Sequence, residues 1–377
     1  MNLARLWAVA RKEFLHVIRD ARSLGMAIAI PMLLLLLYVY ALTLDVDRVP
    51  LVVWDQSRSH ASRELLQHFF ASRYFAFYAG ADTYAEVEHA IDAAHALGAL
   101  VIPYDFADRV EAGRPVAVQL IVDGSDSNTA TIALGYAQAV VFAYSQQVTL
   151  QTVQRAGIRP PDPPLDLRPR VWFNADLESR NFIIPGLIAV IMMVIAALLT
   201  SLTVAREWEG GTMEQLISTP VKPTELILGK LLPYFAIGML DMVLAVLMGQ
   251  FLFHVPLRGS LVLLFGTASL FLLGTLSLGI LISVLAKNQL LANQLAMVLT
   301  FLPSFLLSGF VYAISNMPQP IQIVSRIIPA RYFITALKGV YLKGVGLHVL
   351  WLEVLLLAVF AAVMLTLAVA RFKKRLA

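Results

Sequence analysis

Long apolar runs alternate with short polar breaks along most of this chain, and one long mixed stretch interrupts them near the start. A helix needs about 20 apolar residues to cross about 30 Å of hydrocarbon. Six segments reach that length, at roughly 25–44, 181–204, 231–253, 261–285, 290–312 and 349–370. Residues 45–178 follow a different pattern. There "VPLVVWD", "YFAFYAG", "GALVIP" and "PVAVQLIVDG" read as strands. Between them "SRSHASRELLQHFFAS", with Ser57 as its cap, "TYAEVEHAIDAAHA" and "YDFADRVEAGR" form the intervening segments, and a long helix runs from Ser127 to about Arg155. The order βαβαβαβα predicts a small α/β domain. "RPPDPPLDLRPR" (159–170) is a stiff, extended linker back to the membrane.

The predicted fold class is therefore an α-helical polytopic membrane protein with six transmembrane helices and an inserted α/β extracytoplasmic domain. Residues 1–24 are predicted as a cytoplasmic or interfacial amphipathic helix and 25–44 as the first transmembrane helix. Residues 45–178 form the extracytoplasmic domain, and 179–377 hold the second to sixth transmembrane helices.

Composition agrees with the pattern. The chain is 59% hydrophobic and 14% charged, with a mean hydropathy of +0.74. Soluble domains carry about 25% charged residues. The formal net charge of +4 does not point to nucleic acid as a partner, because the basic residues cluster beside apolar segments, next to membrane lipid. They also set orientation. Thirteen lysines and arginines fall in the predicted cytoplasmic segments, from Arg5 through Lys222 and Lys230 to Arg375, against five in the short outer loops. Both termini are thus predicted in the cytoplasm. The first apolar run reads as an uncleaved anchor rather than a signal peptide. Before it, Leu3, Leu6, Trp7, Ala10, Phe14, Val17 and Ile18 recur at helical spacing with basic residues between, as in an interfacial helix; a cytosolic extension of the first span is the alternative. There are no cysteines, which excludes disulfides and thiolate chemistry. The seven histidines lack ligand spacing, and no metal site is predicted. "DGSDSN" (123–128) lacks the remaining positions of a Ca²⁺ loop, so its side chains are expected to cap a strand-to-helix turn.

The polar break at 207–225, "EWEGGTMEQLISTPVKPTE", is over-specified for a connection. Thr212 and Gln215 fit a capping box. Gly210 and Gly211 let the chain turn, and Met213, Leu216 and Ile217 make one apolar face beside polar Glu214, Gln215 and Ser218. Thr219 before Pro220 disfavours further helix, and Glu225 suits the first turn of the next span. The sequence encodes a short, bounded helix over 212–220 near the cytoplasmic face, either gripped by another protein or lying at the interface.

With these residues in view, "REWEGGTMEQLISTPVKPTELILGKLLPY" (206–234) closely resembles the coupling region of ABC-2 type transporter permeases. Residues 11–24, 99–130 and 306–344 match further parts of that family, so the resemblance covers essentially the whole chain. It is strongest to the bacterial inner-membrane, multidrug-export subgroup with a large periplasmic insertion. The resemblance implies a permease powered by a separate ABC ATPase subunit and paired with a second permease copy or paralogue. It leaves open a periplasmic adaptor and an outer-membrane channel. It implies that Glu207, Gly211, Thr212, Met213, Glu214, Leu216, Pro220 and Glu225 couple to the ATPase. Independently, the sequence has no GxxxxGK[ST] phosphate loop. No cofactor is therefore expected on this chain, and ATP with its Mg²⁺ belongs to the partner.

Two polar features remain. Asp241 lies in "FAIGMLDMVLAVLMG", inside a predicted span, where a carboxylate marks a functional site by default. It is a substrate-path candidate, able to bind a cationic group or carry a proton; a helix-packing hydrogen bond is the alternative. Residues of about 313–340, broken by Pro318, Pro320 and Pro329, are predicted as an outer re-entrant hairpin, with a surface-lying loop as the alternative. Gly266, Gly274 and Gly279 are expected to permit close helix packing. The predicted function is an exporter permease for a lipophilic or drug-like substrate. A non-transporting mechanotransmitter, relaying ATPase motion to a periplasmic partner, is the alternative.

Overall fold

A computed structural model describes residues 2–41, 47–155, 172–174 and 178–372; the expected linker at 159–170 lies outside the described residues. Two compact units divide the chain, Leu44–Pro169 and the combination of Met1–Thr43 with Arg170–Ala377.

In chain order, the larger unit begins with α1 (Leu3–Arg19) and α2 (Ala21–Ala41). The smaller unit follows as β1 (Val49–Asp55), α3 (His60–Ala71), β2 (Phe75–Gly80), α4 (Tyr84–Asp92), β3 (Gly98–Ile102), α5 (Phe106–Glu111), β4 (Gln119–Val122) and α6 (Ser127–Arg155). The larger unit then resumes with α7 (Ser179–Glu209), α8 (Met213–Ser218), α9 (Pro223–Leu247), α10 (Leu261–Ala286) and α11 (Gln289–Leu307). It closes with α12 (Gln319–Ser325), α13 (Pro329–Lys338) and α14 (Leu347–Arg371).

The α/β unit has the alternation read from its sequence. Its sheet runs β2-β1-β3-β4, with β1 parallel to β2 and β3 and β4 antiparallel to β3. Gly98 is required where β3 meets β4, because a Cβ there would stand 2.3 Å from the Ile121 carbonyl oxygen. One face of the sheet packs Leu51, Leu100 and Ile102 against Leu65, Phe69 and Phe106. The α3 cap is Ser59, not Ser57. Ser59 Oγ accepts from the Ser62 amide and Ser62 Oγ accepts from the Ser59 amide, each at 3.0 Å, while the Ser57 amide donates to Asp55. The turn at 123–128 is self-satisfied as expected: Asp123 accepts from the Ser125 amide, and Asp126 from Asn128 and Thr129. Those hydrogen bonds, from the Ser125 amide to Asp123 and from the Thr129 hydroxyl to Asp126 foremost, hold both carboxyls below the usual range. No metal-ligating cluster exists among the described residues.

Among the described residues of the larger unit, six helices are long and apolar enough to cross a membrane: Leu24–Ala41, Ser179–Glu209, Pro223–Leu252, Leu261–Ala286, Gln289–Leu306 and Leu347–Arg371. The third begins at Pro223, eight residues before the apolar run and with Glu225 in its first turn as expected, so Lys230 lies inside the helix. The stretch expected as a hairpin contains α12 and α13 after a single 3₁₀ turn. A surface-lying loop is excluded for α13, whose Ala330, Phe333, Ile334 and Leu337 are buried. Phe333 stacks on Phe271 of α10 at 4.2 Å.

Candidate functional site

The last turn of α7, Arg206–Glu207–Trp208–Glu209, is a junction at which each side chain reaches a different partner. Arg206 lies 3.1 Å from His16 Nε2 of α1. Glu207 Oε1 is 3.0 Å from Lys230 Nζ of α9 and 3.1 Å from Lys12 Nζ of α1. Trp208 lies under the Lys287 ammonium, 5.0 Å from its ring centre. Glu209 accepts from the Gln289 amide and side chain at the start of α11. Four consecutive residues thus tie the end of α7 to α1, α9, the end of α10 and α11.

At the centre of this junction Lys230, 1% exposed, and Glu13, 5% exposed, are 3.3 Å apart. Tyr234 adds a hydroxyl donated to Glu13 at 3.3 Å. A single buried ammonium therefore serves two carboxylates, on α1 and α7. The approach is close because α9 carries Gly229, where a Cβ would stand 2.8 Å from the Val9 side chain. The sequence counts Lys230 with the cytoplasmic charges that set orientation and gives Glu13 no role. On α1, Val9, Ala10 and Glu13 are buried, while Leu3, Trp7, Phe14 and Ile18 of the expected interfacial stripe are exposed. The signal available was a carboxylate three and four residues beyond Ala10 and Val9, in phase with a stripe of small apolar residues.

Helix α8 hangs between this junction and a second tether. Gly211 has φ +68°, a conformation that favours glycine, whereas Gly210 has φ −77°. The expected capping box is not formed: Thr212 has φ −79° and ψ −11°, already helical, so its side chain does not cap α8. Its hydroxyl instead faces the Glu207 carbonyl at 3.4 Å. Thr219 is extended ahead of Pro220, the stop read from the sequence. Arg5 then donates to the Pro220 carbonyl at 2.6 Å, and Glu225 accepts from the amides of Lys222 at 3.0 Å and Asn2 at 2.6 Å. The start of α8 is therefore held to the end of α7, through Thr212 and the Glu207 carbonyl, and the segment after its end is pinned to α1. Met213 is buried and Leu216 half-buried against the larger unit, while Gly211, Thr212, Glu214, Gln215, Ser218 and Pro220 are exposed. The side chain of Ile217 lies outside the described residues.

A family model described as ABC-2 family transporter protein matches residues 22–370. The chain belongs to the ABC-2 transporter family. Among curated relatives of this ABC-2 chain is "Probable multidrug ABC transporter permease YbhS" of Escherichia coli, strain K12. The two are 40% identical over 377 residues, which is 100% of this chain and 98% of the relative. "Probable multidrug ABC transporter permease YbhR" of the same strain is 30% identical over 371 residues, 98% of this chain and 99% of that one. "Inner membrane transport permease YhhJ" is 26% identical over 379 residues, 99% and 98% of the two chains. ABC-2 membership makes this a multi-pass membrane permease subunit, and the family implies an ABC ATPase partner.

Asp241, the remaining residue singled out in the sequence, is not part of the junction. It is 4% exposed, and its Oδ1 is buried without a hydrogen-bond partner among the described residues. The packing hydrogen bond considered for it is therefore not made by Oδ1.

Proposed function

We propose that this chain is the membrane subunit of an ATP-driven exporter that moves a lipophilic, drug-like molecule outward across a bacterial inner membrane. ATP and Mg²⁺ act on a separate ABC ATPase, which receives α8 in a groove. A second permease copy or paralogue completes the assembly. In this reading both termini are cytoplasmic, residues 45–178 are periplasmic, and the segment at 313–340 forms an outer re-entrant gate.

The observation that carries the proposal is the mounting of α8. A six-residue helix is too short to be stable alone, yet it is pinned at both ends and seated on buried Met213. Its outer face, Glu214, Gln215 and Ser218, is left uncovered. Such a helix transmits displacement because its backbone is fixed to α1, α7 and α9 at the same time. Met213 faces inward, so contact with the ATPase falls to Glu214 and Gln215.

A photo-crosslinking residue at Gln215 is expected to join this chain to a copurifying ATPase; failure to capture any ATPase while Ser218 and Glu214 probes also fail would overturn the docking. Glu214→Lys is expected to abolish substrate-stimulated ATP hydrolysis and export while membrane insertion stays normal. Wild-type export by that variant would remove α8 from the coupling role. The mechanotransmitter reading predicts instead that no transported substrate alters ATP hydrolysis by the reconstituted complex.

A further inference from the structure

Two cavities in the helical unit share a wall, and together they have the size and polarity of one ligand site. The larger, about 570 Å³, is lined by apolar groups including Val17, Leu24, Ile30, Leu198 and Ile237. Polar His16, Asp20, Arg206 and Asn293 come from helix ends at the junction side. That volume falls in the range of pockets for drug-sized molecules. The smaller, about 20 Å³, contains Asp241 among Pro31, Met32, Leu35, Ile188 and Leu272. Ile195, Leu199 and Tyr234 line both.

The small chamber has room for a group the size of one water, which needs about 10–15 Å³. The only side chains with oxygen in its lining are Asp241 and Tyr234, and the Tyr234 hydroxyl is already given to Glu13. Asp241 is thus a buried carboxylate with an unused acceptor, enclosed by apolar groups. An unpaired charge so placed is costly. The ligand that answers it is compact, cationic and rich in N–H donors. A primary ammonium has three donors on one small centre. A quaternary ammonium has none and exceeds the chamber, and a carboxylate or phosphate would be repelled.

We propose that the cleft and the Asp241 chamber form one binding site for a lipophilic primary amine. The ammonium lies against Asp241 and the hydrocarbon body fills the larger cleft. The assignment rests on the exporter reading and supplies its substrate class.

The sequence has no cysteine, so Asn293→Cys places the sole thiol of this chain at the cleft. In membrane vesicles carrying the full chain, maleimide labelling of that thiol is followed with dodecylammonium, dodecanol or dodecyltrimethylammonium added. Dodecylammonium is expected to protect at about tenfold lower concentration than dodecanol, the effect of roughly one well-placed charge interaction. Asp241→Asn in the same background is expected to remove that preference and to leave protection by dodecanol unchanged, which also shows the cleft to be intact. Equal protection by amine and alcohol in the wild-type chamber, or an amine preference that survives Asp241→Asn, overturns the site. If Asp241→Asn loses dodecanol protection as well, Asp241→Glu decides: an amine preference there supports the proposal and its absence overturns it. Absence of an amine preference with Asp241 present, alongside successful Gln215 crosslinking, sinks the amine site alone and leaves the exporter reading standing.

Discussion

Lys230→Met is expected to destabilise the membrane unit by about 3–5 kcal/mol, the usual consequence of removing one partner from a buried ionic cluster. The substitution keeps the length and most of the volume of the side chain, so the loss is electrostatic. It leaves Glu13 and Glu207, whose oxygens lie 3.3 and 3.0 Å from the ammonium, facing the same space, with only the exposed Lys12 still reaching Glu207. Lys12 does not compensate, because it reaches only Glu207 and its side chain is 57% exposed; its own removal is expected to cost no more than about 1 kcal/mol. The triple change Glu13→Gln, Lys230→Met, Glu207→Gln discharges the whole cluster and is expected to regain most of the stability. Thermal unfolding midpoints of the purified chain should rank Lys230→Met lowest, then the triple variant, then Lys12→Ala near wild type. A Lys230→Met protein as stable as wild type would mean that the cluster does not hold α1 to α7 and α9.

That cluster also shows which parts of the molecule were legible in the sequence. The six long helices, the strand and helix order of the α/β unit and the stop at Thr219–Pro220 depend on local pattern and backbone chemistry, and the structure has them all. The burial of Lys230 was not legible, because a charge beside an apolar run reads as a flank of that run. What brings it inside is Glu13, 217 residues earlier, and pairing at that separation leaves no trace in a sequence window. The capping box failed for a related reason. Thr212 and Gln215 have the right spacing, but the turn through Gly211 delivers Thr212 already in helical geometry, and the ends of α8 are held by Arg5 and Glu207 instead. The packed face of α1 illustrates a third limit: the apolar stripe expected at a membrane interface is largely exposed, and the side that packs is marked only by Val9, Ala10 and a carboxylate, Glu13.

The same distinction between open and crowded faces separates the glycines of α10, all three of which the sequence reading assigned to close packing. A Cβ at Gly279 would stand 2.0 Å from Thr200 Oγ1, 2.6 Å from the Ala197 carbonyl oxygen and 3.1 Å from Ala197 Cα. Two of these are backbone atoms of α7, which cannot rotate aside. Thr200 meanwhile bridges the pair, its hydroxyl lying 2.9 Å from the Leu276 carbonyl and 3.0 Å from that of Ala196. Ser283 continues the seam, accepting from the Val204 and Ala205 amides at 3.0 and 2.9 Å. Gly279→Ala must therefore separate two backbones and break a polar contact, and overpacking of this kind costs about 1–3 kcal/mol or more; Gly279→Leu is expected to prevent recovery of folded protein. Gly266 is the counterexample, because nothing lies within 4 Å of a Cβ built there. Gly266→Ala is expected to stabilise α10 by up to about 1 kcal/mol through helix propensity. Unfolding midpoints in detergent should therefore fall for Gly279→Ala and hold or rise for Gly266→Ala. The reverse order would show that the α7–α10 seam is not packed as described, since two substitutions identical in chemistry differ only in what their methyl groups meet.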